Sequence, residues 1–143
     1  MSIPVALDRR GHLPFHRRCV PFLAVCAARI LARLSPIRLR NLLELVRRGA
    51  TPASTAQALL SRDEVTAVSL RCAGQACLQR SIAVALLCRA RGCWPTWCTG
   101  VRTSPFAAHA WVEADGQPVG ETYPPDHYRT LISIPPAGEN PRA

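Results

Sequence analysis

Three side chains in the second half of the sequence could together form a catalytic centre built on a thiol. Cys77 lies at the predicted start of a buried helix, and His109 opens a predicted strand. Glu121 lies on the strand that is expected to return beside it. A thiolate is a nucleophile, an imidazole can accept and return a proton, and a carboxylate can orient that imidazole. Because the N–H groups and dipole of a helix start favour negative charge, this position is expected to lower the pKa of Cys77.

The identity of the orienting carboxylate depends on the hairpin turn at Asp115-Gly116. A three-residue loop with Gly116 in the bulge position would place Glu121 directly opposite His109. A two-residue turn would instead pair His109 with Thr122 and put Glu121 on the other face of the sheet. We predict the first register, and with it Glu121 as the residue that orients the imidazole.

Other residues compete for two of these roles. Asp126 becomes a candidate orienter if the proline-rich loop before it folds back over the site. Asp115, at the hairpin tip, is expected to lie too far from His109 in either register. Cys72 is a rival nucleophile, but it precedes Gly74 and so lies outside the predicted helix start.

Donors for an oxyanion are expected at the same helix start. The backbone N–H groups there, including that of Cys77, are the first candidates. Gln75 and Gln79 are further candidates, by analogy with cysteine proteases in general. Trp111 shares the His109 face of its strand and is expected to shield the site from water.

The elements needed to position these residues follow from apolar periodicity and turn residues. One domain with an α+β fold is predicted, in which N-terminal helices pack on a small antiparallel sheet. Its bounds are residues 20–134, after an irregular arm at 1–19 and before a flexible tail at 135–143. Helices are predicted at 22–34, 36–48 and 52–60, with another opening at 61–64 and a strongly apolar one at 76–91. Strands are predicted at 96–103, 109–114, 117–121 and 131–134.

The charge of the chain is strongly positive, with 18 basic and 9 acidic residues and a formal net charge of +9 among 143 residues. Such a balance usually indicates an acidic partner. Every basic residue, however, is an arginine, and the arginines are spread along the chain instead of forming the clustered face that a phosphate backbone needs. We therefore expect no nucleic acid as partner.

The seven cysteines are an odd number, so complete pairing within the chain is impossible. Together with the absence of an apolar run of the ~18 residues that span a membrane, this favours a cytoplasmic protein with reduced thiols. Four residues lie between Cys88 and Cys93 and again between Cys93 and Cys98, which matches zinc and iron–sulfur patterns poorly. We expect neither a metal nor a cofactor.

Two stretches around the candidate residues carry a resemblance to a known family. CLQRS at 77–81 begins the buried helix, and AHAWVE at 108–113 is followed by the Asp115-Gly116 turn. Over residues 20–134 the chain resembles the leader peptidase of lasso-peptide biosynthesis, a transglutaminase-like and papain-like cysteine protease with a Cys–His–Asp triad. The resemblance implies Cys77 as nucleophile and His109 as base. Glu121 stands where the family's aspartate is expected, with a side chain one methylene longer.

The resemblance also implies partners. Single-chain members carry an N-terminal winged-helix-like domain that grips the leader peptide. The residues before Cys77 are predicted to be helical and are too few for that domain together with the protease's own helices. The chain would then be the protease half of a split system, with a precursor peptide cut at its leader–core junction and a separate leader-recognition protein. A lasso cyclase would receive the product. A pocket for a small β-branched residue near Cys77 is implied as well.

Two other functions stay open at this point. The same triad could transfer the acyl group to an amine, as a transglutaminase-type acyltransferase does. Alternatively, the chain could be a basic docking module without activity, in which the cysteine and histidine are core residues. The mass of the product separates the first from hydrolysis, and the loss of turnover in Cys77→Ala excludes the second.

Overall fold

The structure is a computed structural model that describes residues 13–140. Residues 1–12 of the predicted arm and the last three of the predicted tail lie outside this range. After a 3₁₀ turn at Phe15–Arg17, the helices are α1 (Cys19–Leu31), α2 (Pro36–Val46), α3 (Thr55–Val68), α4 (Leu70–Ala73) and α5 (Cys77–Ala90). The strands are β1 (Thr51–Pro52), β2 (Cys93–Trp94), β3 (Thr96–Thr103), β4 (Phe106–Ala114), β5 (Gln117–Pro118) and β6 (Arg129–Ile134). The predicted α+β fold is confirmed.

Helix α5 lies at the centre of the molecule. It packs against α1, α3 and β4. Ile82, Ala83, Ala85 and Leu87 have no solvent-accessible surface, which explains why the helix is apolar almost all round. Among residues 13–140, no helix is both long enough and apolar enough to cross a membrane.

Helix α3 differs from its prediction. Thr51-Pro52 does not cap a helix but pairs in parallel with β2, and Ser54 forms a capping box with Gln57 instead. The predicted break at 61–64 is wrong, since α3 runs through that point. Two polar residues there, Ser61 and Glu64, are buried and have partners in α5 and the turn after it: Ser61 accepts hydrogen bonds from Cys88 and Arg91, and Arg91 also pairs with Glu64. These tertiary partners replace the local capping that the sequence suggested.

The main sheet is antiparallel, with strand order β5-β4-β3-β6. Gly100 of β3 lies opposite His109 of β4. Strand β5 pairs only with the end of β4, so the outer edge of β4 before Val112 has no strand beside it within residues 13–140. Strand β4, which carries His109, also packs against α5.

The hairpin between β4 and β5 has a two-residue turn, so the predicted three-residue loop is wrong. Ala114 pairs with Gln117, and both turn residues have positive φ, 51° at Asp115 and 77° at Gly116. Asp115 is held in this conformation from outside the hairpin, because its carboxylate accepts hydrogen bonds from the N–H and the hydroxyl of Thr55. The predicted return strand also ends early, at Pro118.

Gly100 has no room for a side chain. A Cβ atom there would lie 2.5 Å from the carbonyl oxygen of Arg129 and 3.0 Å from the Trp111 ring. Gly100→Ala is therefore expected to separate β3 from β6 and to lower the free energy of unfolding by about 1–3 kcal/mol, as overpacking usually does. Urea denaturation measures the loss, and an unchanged midpoint would contradict this account of the sheet.

Candidate active site

Cys77 is the first residue of α5 and is partly buried. The chain enters the helix through a tight turn at Ala76, with φ −83° and ψ 59°, in which the N–H of Cys77 donates to the carbonyl oxygen of Gln75 at 3.0 Å. The N–H of Cys77 is thus engaged within this turn, and its role as an oxyanion donor stays a prediction. The carboxamide oxygen of Gln79 is buried and accepts no hydrogen bond.

His109 brings the three predicted residues together. Its Nε2 lies 3.0 Å from Oε2 of Glu121, and the two side chains are 12% and 9% exposed. The thiol of Cys77 lies beside the same ring, close enough for each group to shift the pKa of the other, and both residues line one cleft. The backbone N–H of Ala110 in β4 also lies near the Cys77 sulfur and favours its negative charge. This is the arrangement of a nucleophile, a base and an orienting carboxylate.

The surroundings favour a thiolate and an imidazolium. Burial alone would raise the pKa of Cys77, but the hydrogen bonds from His109 and Ala110 and the charges of His109 and Arg80 outweigh it, so the pKa is lowered. Burial alone would lower the pKa of His109. The hydrogen bonds to Cys77 and Glu121, together with their negative charges, instead raise it to about 9. Each charge stabilises the other.

The ion pair predicts the pH range over which Cys77 reacts. Because its pKa is lowered, the thiolate should form at a lower pH than that of an ordinary thiol of pKa ~8.5, and iodoacetamide should alkylate Cys77 faster at neutral pH than it alkylates an ordinary thiol. Above about 9 the imidazolium loses its proton, so general-acid catalysis should decline there. Mass spectrometry of the peptide that contains Cys77, across pH, measures the alkylation. His109→Ala should move its onset upward, and an identical profile in that variant would contradict the pairing.

Glu121 reaches His109 by a path that the predicted register does not describe. After β5 and Val119, the chain turns at Gly120 with φ 65°. Gly120 lies directly against the side chain of Arg62, which is 8% exposed. This turn, and not regular strand pairing, carries Glu121 to the imidazole. Asp126 is exposed on the following loop.

Gly120 should therefore be sensitive to substitution. A Cβ atom there would lie 2.6 Å from Cδ and Nε of Arg62, and its positive φ disfavours any side chain. Gly120→Ala is expected to lower turnover about 10²-fold by displacing Glu121, since small misplacements have such effects. Gly49→Ala is the matched control, because Gly49 also has positive φ but open space around it. Equal activity of the two variants would contradict the role of this turn.

Three aromatic rings surround the imidazole. Trp111 is stacked on it at 5.9 Å between centroids, Tyr128 lies at 5.0 Å, and Tyr123 meets it edge-on at 5.9 Å. The indole N–H of Trp111 donates to Glu113, which fixes that ring. The sequence predicted the shielding role of Trp111 but missed both tyrosines, whose signal was the clustering of aromatic residues in the loop before β6.

An apolar cleft of about 370 Å³ opens beside Cys77 and His109. It lies between the α1–α2 region, the start of α5 and strands β3, β4 and β6. Its walls include Leu34, Leu39, Leu78, Trp97, Val101 and Ile132. The cleft therefore has the character of a subsite for an apolar side chain next to the reacting thiol.

The other cysteines have different surroundings. Cys72, the rival nucleophile, has no exposed surface, and burial raises the pKa of its thiol. Burial also raises the pKa of Cys88 to about 12. All seven cysteines are free thiols. Within residues 13–140 there is no group of three or more histidine, cysteine or acidic residues that could hold a metal ion.

Comparison with known proteins places the chain at the level of a superfamily. Residues 22–133 match the transglutaminase-like superfamily, and this span contains Cys77, His109 and Glu121. Comparisons with curated proteins and with solved structures gave no match. The superfamily generally contains cysteine proteases and transglutaminases. The chain belongs to the transglutaminase-like superfamily.

Proposed function

We propose that the protein is a cysteine peptidase that removes the leader peptide from a ribosomally made lasso-peptide precursor. The observation that carries the proposal is the thiol of Cys77 beside an imidazole whose Nε2 lies 3.0 Å from Oε2 of Glu121. The raised pKa of His109 keeps a proton available for a leaving amine.

The reaction would proceed through a thioester. The thiolate of Cys77 attacks the scissile carbonyl, and His109 protonates the leaving amine as the C–N bond breaks. The neutral imidazole then takes a proton from water, whose oxygen attacks the thioester and releases the acid and the thiolate. Glu121 holds the imidazole in position and stabilises its charged form throughout.

Support for a leader peptide as substrate comes from the resemblance carried by CLQRS at 77–81 and AHAWVE at 108–113. In that family a threonine is typically next to last in the leader. The apolar cleft beside Cys77 offers methyl-sized contacts for such a β-branched side chain. We propose a separate leader-recognition protein as partner, and a lasso cyclase as the acceptor of the product.

Acyl transfer is the second candidate function, because transglutaminases belong to the same superfamily. Both reactions share the thioester on Cys77 and differ in the molecule that resolves it. Water yields a carboxylic acid, whereas an amine yields a new amide. The two products differ in mass, so one experiment separates them.

The test is mass spectrometry of a lasso precursor peptide after incubation with the protein and a leader-binding partner. A single cut at the leader–core junction, with the mass of one added water and absent in Cys77→Ala, is the expected result. A product that carries an added amine would establish acyl transfer instead. A precursor that is bound by the partner but stays intact with wild-type protein would contradict both enzymatic functions and favour a docking module.

A further inference from the structure

We infer that Arg80 is a positioning residue that clamps the nucleophile's turn and the orienting carboxylate in one arrangement. The inference rests on the proposed roles of Cys77, His109 and Glu121, and it adds to them a fourth residue that contacts none of the reacting atoms. Arg80 lies three residues after Cys77, so both face the same side of α5.

One nitrogen of the guanidinium holds the turn of the chain that precedes Cys77. Nη1 of Arg80 donates to the carbonyl oxygens of Cys72 and Gly74, each at 3.2 Å. These carbonyls end α4 and begin the turn that leads into α5. The helix start that carries Cys77 is therefore tied to a side chain within its own first turn.

The other nitrogen holds the carboxylate of the site. Nη2 of Arg80 lies 3.7 Å from Oε1 of Glu121, and the two side chains are 12% and 9% exposed. Oε2 of the same carboxylate faces His109. With one oxygen directed at the guanidinium and the other at the imidazole, the carboxylate has little freedom to rotate away. The positive charge of Arg80 also favours the Cys77 thiolate.

This double role needs the shape of arginine. Its planar guanidinium presents donors in fixed directions, so it can hold two carbonyl oxygens and a carboxylate at once. A lysine ammonium is a single point charge on a flexible stem and cannot reproduce that geometry.

Arg89 is a matched control on the same helix. Its guanidinium also bonds backbone carbonyl oxygens, those of Val46 at 2.7 Å and Arg48 at 3.1 Å. It belongs to the last turn of α5, at the end opposite Cys77. Arg89→Gln should thus reproduce the structural cost of losing an arginine that binds carbonyls, without any effect on the site.

The experiment measures alkylation of Cys77 by iodoacetamide as a function of pH in Arg80→Gln, Arg80→Lys and Arg89→Gln, together with their melting temperatures. Peptide mass spectrometry separates Cys77 from the exposed Cys19. Arg80→Gln should move the onset of alkylation to higher pH and slow it about tenfold at neutral pH, in line with the loss of one nearby opposite charge. Arg89→Gln should keep the wild-type profile.

Arg80→Lys should show an intermediate alkylation profile, because it keeps the positive charge and loses the planar guanidinium. This variant also tests the inference if Arg80→Gln does not fold. A wild-type alkylation profile in either folded Arg80 variant would overturn the inference. The assay needs no peptide substrate, so it can succeed or fail independently of the peptidase assay: a wild-type profile would refute the clamp, whereas an uncut precursor would refute the proposed function.

Discussion

Replacing Cys77 with alanine is expected to reduce turnover by about 10⁴-fold or more, since loss of a nucleophile leaves only the contributions of binding and oxyanion stabilisation. The fold should persist, because Cys77 lies at a helix start and is only partly buried. Steady-state turnover and the urea midpoint, measured on the same preparation, separate loss of chemistry from loss of structure.

Cys72→Ala is the matched control for this loss. Cys72 is five residues earlier, has no exposed surface, and has a raised pKa where Cys77 has a lowered one. Cys72→Ala should lower the free energy of unfolding, because it leaves a small cavity, and it should leave the pH dependence of turnover unchanged. Activity that survives Cys77→Ala but disappears in a folded Cys72→Ala variant would reverse the assignment of the nucleophile.

Glu121→Ala is expected to have the second-largest effect. Without the carboxylate, the pKa of His109 should fall from about 9 toward its ordinary value of 6.5, because the hydrogen bond and the negative charge of Glu121 are lost. Turnover should fall by about 10²–10⁴-fold as the imidazole loses its orientation and its charged form loses a partner. The alkaline limb of the pH profile should move to lower pH, since the imidazolium would then lose its proton earlier.

NMR titration of the His109 imidazole measures this shift directly. Glu121→Gln keeps the size of the side chain and removes its charge, so it should lower the His109 pKa while preserving most of the packing. Glu44→Ala, on the exposed face of α2 where Glu44 pairs with Arg40, should change neither the titration nor turnover. A His109 pKa that stays near 9 in Glu121→Ala would show that another group holds the imidazole.

The fold was most predictable where the determinants are local. Helix α5 and strands β3 and β4 follow from apolar periodicity and from β-branched residues, and they were predicted to within a few residues. The predictions were wrong where the local conformation depends on residues that are distant in the sequence. Asp115 adopts its conformation through hydrogen bonds to Thr55, sixty positions away, and the continuity of α3 depends on Arg91 of the turn after α5. Neither partner can be identified from spacing along the chain.

The candidate site was likewise predictable from local sequence signals and not from contacts between distant residues. The order of a cysteine at a helix start and a histidine on a strand is visible in the sequence, and the structure joins Cys77 to His109. The predicted register is wrong, yet Glu121 still reaches the imidazole, because the chain turns at Gly120. That turn packs against Arg62, a contact that cannot be identified from spacing along the chain. The contacts of Tyr128 with the imidazole likewise require the tertiary fold.

The most direct test of the account is the ionisation state of Cys77 in the resting protein. The difference in ultraviolet thiolate absorbance between wild type and Cys77→Ala, followed across pH, reports this one group among seven cysteines. The account predicts a thiolate signal already present at neutral pH, which is lost on acidification and weakened when His109 is replaced. A signal that appears only near the ordinary thiol pKa of ~8.5, with or without His109, would contradict the thiolate–imidazolium pair on which the proposed chemistry depends.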